Sequence, residues 1–186
     1  MSFEPVPGRE CGDCWYCCQY LTIDSPDMQK LPGQLCHNYA KGTGCTIYQE
    51  RPTPCREYLC GWRKMAYLDD GWRPDRSGVV ISLKGDDIPE GFQGPALVLL
   101  MIDPERALAR PALFNLIKHA IKGRIPVYLS QRGPLGFEPV NIFVNRALAD
   151  AVSIDDDQKF LQIIAQIRQL IAAYEFVPVI LQHATS

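Results

Sequence analysis

The chain lacks an excess of charge of either sign: 19 Lys and Arg stand against 21 Asp and Glu, a net charge of −2. A protein that grips nucleic acid without sequence preference carries a clear positive surplus, so that class of partner starts at a disadvantage. Long apolar runs are missing as well. The longest clear one, residues 96–102, is far short of the roughly 20 residues that span a bilayer, so no membrane partner is expected. Met1-Ser2-Phe3-Glu4-Pro5 has neither a basic region nor an apolar stretch, which argues against a secretion signal and leads us to expect a cytoplasmic protein. Histidine is scarce at three residues. His119 and His183 have no Ser or Cys nucleophile near them in sequence. There is no Walker loop, dinucleotide fingerprint or zinc-protease helix. These absences assign no reaction and leave the question of an enzyme open. The remaining composition, 47% hydrophobic and 22% charged, is that of a folded chain, and 186 residues allow one or two domains.

Cysteine is the exception. All eight lie between Cys11 and Cys60, and none follows. Dense cysteines in a reducing compartment point to metal ligation or redox chemistry rather than structural disulfides. The first cluster is Cys11-Gly12-Asp13-Cys14-Trp15-Tyr16-Cys17-Cys18; the second set is Cys36, Cys45, Cys55 and Cys60. A C-x2-C turn directs two sulfurs toward one ion, and a tetrahedral thiolate site joins such pairs from distant parts of the chain. Adjacent side chains diverge, so Cys17 and Cys18 together suggest two metal centres or a multinuclear cluster. Eight thiolates suffice for two four-cysteine zinc sites, or for one iron–sulfur cluster with cysteines to spare. The bacterial ferredoxin run also starts C-x2-C-x2-C but continues x3-C-Pro, and here Cys18 follows Cys17 directly, so that match fails. The plainer alternative is that some of the eight are buried as small apolar groups.

Two zinc ions on eight thiolates would leave a formal surplus of about four negative charges. Arg51, Arg56, Arg63 and Lys64 are candidates to offset it. His37, next to Cys36, is a candidate ligand, although a histidine beside a ligand cysteine is more often a bystander. Tyr48, Tyr58 and Trp62 are expected to wall such a site from water.

The stretch from Cys11 to Trp62 resembles the YkgJ-type CxxCxxCC family of zinc- or iron-chelating domains. The pieces that carry the likeness are Cys11-Gly12-x-Cys14-x-x-Cys17-Cys18, a spacer to Cys36, then Gly44-Cys45-Thr46-Ile47-Tyr48-x-x-Arg51-Pro52-x-x-Cys55-Arg56-x-Tyr58-x-Cys60-x-Trp62. They cover about the first third of the chain. Members often place a proline after the third-region cysteine, where this chain has His37. The resemblance implies metal chelation by Cys11, Cys14, Cys17, Cys18, Cys36, Cys45, Cys55 and Cys60, with Zn2+ the leading ion and iron or an iron–sulfur cluster the other. Flagellin lysine methylases have a similar cysteine domain. That likeness implies an iron–sulfur cluster and keeps a redox or protein-modifying enzyme in view.

The texture changes near residue 76. Residues 1–75 read as an irregular, cysteine-rich, metal-organised module punctuated by prolines, with short helical pieces around Tyr48 and over 56–65. Residues 76–186 read as an α+β domain that would bind an unknown protein or small-molecule partner. Strands are expected over 79–83, 96–102, 125–130 and 140–144. A helix is expected from Pro111 to Gly123, and a final one after Ser153 with Asp155, Asp156 and Asp157 at its N-terminus. The order β-β-α-β-β-α, with short connections, predicts a mainly antiparallel sheet with helices on one face. Arg132-Gly133-Pro134-Leu135-Gly136 reads as a hairpin connection rather than an anion-gripping loop.

Overall fold

The computed structural model describes residues 4–182; His183 lies outside them. The cysteine-bearing region is built from short pieces. Helix α1 (Tyr16–Tyr20) leads into a ribbon of β1 (Ile23–Ser25) and β2 (Met28–Lys30), in register Ile23 to Lys30 and Ser25 to Met28. A second ribbon pairs β3 (Tyr39–Ala40) with β4 (Gly44–Cys45). Helices α2 (Thr53–Glu57), α3 (Gly61–Lys64) and α4 (Pro74–Ser77) follow. Neither ribbon is foreseen from the sequence, because strands of two or three residues show no period. The helix expected over 56–65 is broken: Tyr58 and Cys60 are extended, with ψ of 120° and 161°. The cause is Gly61, which presses on the next strand so closely that a Cβ there would meet Ile81 Cγ2 at 2.4 Å. The chain straightens to deliver that glycine. The turn expected at Tyr48 is present as a 3-10 turn, Tyr48–Glu50.

The α+β expectation holds. Four strands, β5 (Val79–Lys84), β6 (Ala96–Met101), β7 (Val127–Gln131) and β8 (Val140–Phe143), pair in chain order. The β5–β6 and β7–β8 pairs are antiparallel, while β6 and β7 are parallel. A parallel neighbour requires a crossover. Here it carries two helices, α5 (Pro104–Leu108) and α6 (Pro111–Lys122). β6 is the strand buried on both faces, which is why its sequence is continuously apolar rather than alternating.

Two helices depart from the expected order. α5 is a single turn, started by Asp103, whose side chain accepts from the Arg106 N–H, and by Pro104 behind it. α7 (Asn145–Ser153) runs straight out of β8 with no side-chain cap at Val144, so it gives no start signal. The final helix, α8 (Asp157–Ala172), begins as expected, with Asp156 accepting from the Lys159 N–H. Asp155 and Asp157 instead pair with Lys122 and Lys118 of α6, so the acidic triplet belongs to a helix start and a helix–helix contact.

The two faces of the sheet have different coverings. Val79, Ile81, Leu97, Leu99, Met101, Val127 and Leu129 point to the face covered by helical residues such as Leu113, Ile117, Leu148 and Phe160. Val80, Leu100 and Ile102 point the other way and pack with Cys14 and Tyr16. Trp62, Met65, Leu68 and Trp72 join the helical side. Arg9 lashes that segment down, donating to the carbonyls of Trp62 and Met65 at 2.5 and 2.9 Å, and to those of Ala66 and Leu68. The 132–139 connection is a hairpin loop, as expected, held to the cysteine region by Gly136 N–H donating to Pro32 O at 2.9 Å.

Asn145 fixes the parallel edge. It is 4% exposed; its Oδ1 accepts from Val127 N–H and its Nδ2 donates to Ile125 O, both at 2.7 Å. Asn145→Ala leaves both backbone groups without that partner. A buried orphan costs roughly 1–3 kcal/mol, so we expect a loss of about 2–4 kcal/mol. Urea unfolding of the two proteins checks this; a loss below about 1 kcal/mol would mean that water replaces the amide without cost.

Candidate functional site

All eight cysteines border one cavity of about 290 Å³. They reach it on different elements. Cys11 and Cys14 lie on the loop before α1, and Cys14 N–H donates to Cys11 O at 3.0 Å. Cys17 and Cys18 sit on α1, Cys45 on β4, Cys55 on α2, and Cys60 just ahead of α3. Cys36 follows β2, and its N–H donates to Cys18 O at 2.9 Å. All eight are free thiols. Among the described residues, no three Cys, His, Asp or Glu side chains are gathered closely enough to hold a metal ion. The sulfurs therefore share a cavity wall without converging on a point.

Among the described residues, the wall contains no carboxylate and no histidine, and its charged members are Arg51 and Arg63. Both belong to the four cations expected near the cysteines. Arg63 is 9% exposed and donates to Cys11 Sγ at 3.6 Å and to Tyr48 Oη at 3.3 Å. Its Nε is buried with no partner. Arg51 stacks on the Tyr48 ring at 3.7 Å and donates to Tyr48 O at 2.8 Å and Cys55 O at 3.3 Å. Arg56 is exposed and bonds Thr53, and Lys64 does not reach the wall. His37 is also off the wall, exposed and bonded to Asn38 at 3.1 Å. Tyr48, Tyr58 and Trp62 do border the cavity, as expected of them. Tyr58 is fixed by a 2.9 Å bond to Ser82 of β5.

Sequence reasoning missed Lys30. It is 2% exposed, at the end of β2, and its ammonium donates to the carbonyls of Gln19, Leu21, Leu31 and Gln34. Cys36, Cys18, Cys17 and Cys55 all bear on it electrostatically. Burial lowers its pKa, and those thiols oppose the shift. No signal in the sequence could have found it: β2 is too short to show a period, and the burial of its first and third residues is set by the fold.

The thiols differ in acidity. Burial pushes Cys14 up to about 12, and it raises Cys45, Cys55 and Cys60. The Cys17 and Cys18 side chains do not diverge as expected of neighbours: they hydrogen-bond each other, and that bond holds the proton on Cys17. The same bond, with help from Lys30 and Arg51, brings Cys18 down to about 7. In such a pocket most thiols must lose a proton before they can act as thiolate ligands or nucleophiles.

The fold and the site define a cysteine-lined cavity set against the sheet of an α+β protein. No family model, curated protein or solved structure matches the chain. Among the described residues, no helix is long and apolar enough to cross a membrane.

Proposed function

We propose that the chain is a cytoplasmic metal-binding protein whose eight cysteines chelate zinc or iron, with zinc the leading ion. The observation that carries this reading is the shared cavity: cysteines spread over fifty residues of chain all border it. The donor chemistry fits. The wall carries eight thiols that become soft anionic donors on losing a proton, and two arginines border it. The unpaired, buried Nε of Arg63 is a donor suited to negative charge. In a closed four-thiolate shell, zinc supplies folding energy rather than redox chemistry. The chain's own part is to hold the sulfurs on short, locally braced elements, to shield them with Tyr48, Tyr58 and Trp62, and to offset their charge. The α+β region is proposed to engage a protein or small-molecule partner, with nucleic acid disfavoured by the charge balance.

A second reading, an iron–sulfur redox or protein-modifying enzyme, draws on the cavity volume. A cavity of about 290 Å³ has room for more than one water-sized body, and so for more than a single tetrahedral ion.

The test is elemental analysis of anaerobically purified protein, with its visible spectrum taken on the same sample. About two zinc ions per chain and no colour support the first reading. Iron with sulfide and a broad visible band support the second. Neither metal, with eight free thiols and a folded chain, would overturn both. In the zinc case Cys14→Ser is expected to lower metal content and melting temperature together.

A further inference from the structure

We propose that the cysteine-lined cavity binds a small organic anion, an apolar body bearing one carboxylate, and that Arg63 holds the carboxylate. The inference goes beyond the metal-binding reading and requires no metal.

Unpaired donors point to it. Among the described residues, four buried side-chain polar atoms have no hydrogen-bond partner. Two of them, Arg63 Nε and Trp62 Nε1, belong to consecutive residues of α3 that both border the cavity. Arg63 is 9% exposed and Trp62 is 6% exposed. Buried polar groups of native proteins are nearly always paired, so a bare donor beside a cavity marks a place for an acceptor. The other bonds of Arg63 keep its guanidinium at the wall: Nη1 donates to Cys11 Sγ at 3.6 Å and to Tyr48 Oη at 3.3 Å, and both partners are wall residues. Its backbone is braced as well, the N–H donating to Cys60 O at 2.9 Å and the carbonyl accepting from Val6 N–H at 2.7 Å. Nε lies on the side-on edge of a guanidinium, an edge that suits a carboxylate.

The charge of the wall selects the sign of the ligand. Arg51 directs Nε and Nη1 to Tyr48 O and Cys55 O, so it contributes charge more than free donors. Tyr48 ties the two cations together, its ring under the Arg51 guanidinium and its hydroxyl accepting from Arg63. Among the described residues, no carboxylate borders the cavity to neutralise them. A buried guanidinium without an anionic partner is costly, and an incoming carboxylate relieves that cost.

The rest of the wall selects the body. Leu21, Ile23, Met28, Ile47, Leu59 and Val80 border the cavity. An apolar lining with a few convergent polar groups is the pattern of a small-molecule site, and about 290 Å³ is at the small end of such sites. A simple inorganic anion would leave that apolar lining uncovered.

Benzoate is the probe, titrated into the reduced full-length protein as purified and followed by calorimetry. Proton–nitrogen NMR of the three Trp indole groups locates the site, with the Trp62 signal identified by Trp62→Phe. Saturable binding is expected, with the Trp62 signal moving most. Benzamide, the same body without the charge, should bind at least about tenfold more weakly. Acetate, the same head with almost no body, should also bind at least about tenfold more weakly. Arg63→Lys keeps the charge but loses Nε, and should weaken benzoate binding about tenfold or more. Both ligand comparisons use the unaltered chain, so a misfolded variant does not spoil the test. No saturation by about 10 mM benzoate would overturn the proposal, because a ligand of this size that fills its site binds more tightly. Benzamide binding as well as benzoate would remove the anion, and acetate or chloride binding as well would remove the apolar body; either result overturns the proposal. A Trp62 signal that does not move would place the ligand elsewhere and overturn it too. Metal content of the same sample keeps the two readings apart. Zinc or iron without benzoate binding overturns this inference alone, while benzoate binding by a folded, metal-free chain overturns the metal reading alone.

Discussion

Lys30→Met is expected to lower the stability of the protein by about 3–5 kcal/mol, the cost of leaving several buried carbonyls without a donor at roughly 1–3 kcal/mol each. The buried ammonium organises four backbone carbonyls, at 3.1 Å for Gln19, 2.5 Å for Leu21, 3.2 Å for Leu31 and 3.1 Å for Gln34. An ammonium has three N–H groups, so the four acceptors share them. Methionine matches the stem in size but leaves every carbonyl without its donor, at roughly 1–3 kcal/mol for each one that water cannot reach. The carbonyls come from the end of α1, the chain after it and the turn after β2, so their loss loosens the elements that carry Cys18 and Cys36. Lys30→Arg is not expected to rescue, because a planar fork cannot aim at four acceptors gathered about one point. Urea midpoints at unchanged slope measure the loss. A value under about 1 kcal/mol would show that the carbonyls resolvate freely and that Lys30 is no keystone of the ribbon. A second consequence concerns the cysteines. Lys30 is one of two cations that favour the Cys18 thiolate, so the Cys18 thiol should become less acidic in Lys30→Met. The pH dependence of alkylation at Cys18, mapped by mass spectrometry, reads this directly.

The sheet was legible because its strands are long enough to show a period or a run. Val79–Lys84 and Ala96–Met101 are six residues each, and the Pro111–Lys122 and Asp157–Ala172 helices repeat their apolar faces over several turns. α7 was hidden because its buried side is made of Leu148, Ala151 and Val152 with no cap ahead of it. The parallel pairing of β6 and β7 was hidden for a related reason. The expected single helix between them is two, and which way the following strand runs is decided by how they cross the sheet. In the cysteine region, spacing identified the candidates but not their arrangement. Sequence adjacency also misleads about charge: Arg56 directly follows Cys55 yet is exposed, while Lys30 is six residues before Cys36 and lies beneath the thiols. With one-turn helices and two-residue strands, each direction is set by a tertiary contact, as Gly61 against Ile81 shows.

Gly44→Ala is expected to cost about 3–5 kcal/mol, among the largest losses a single methyl group can cause. Gly42, in the β3–β4 turn, and Gly44, at the start of β4, make a matched comparison. Both have positive φ, 79° at Gly42 and 87° at Gly44, so alanine is strained at either position. That strain alone is worth roughly 1–2 kcal/mol. Around Gly42 nothing lies within 4 Å of a built Cβ, whereas at Gly44 the Cβ would stand 2.1 Å from Gly12 O. A backbone oxygen cannot swing aside as a side-chain tip does. Either the Cys11–Cys14 loop or the β4 strand must move. Gly12 directly follows Cys11 and Gly44 directly precedes Cys45, so this contact holds one cysteine segment abreast of another. Gly42→Ala should therefore lose only the strain, while Gly44→Ala should lose more stability; on the proposed metal-binding reading, Gly42→Ala should also keep its metal content and Gly44→Ala lower it. Unfolding and metal content measured on both variants separate the causes. Equal losses would mean that φ alone matters and that the approach of the two backbones imposes no order on the sulfurs. A large loss confined to Gly44 would identify the crossing of two glycine backbones as what brings the early cysteines and the later ones to the same cavity.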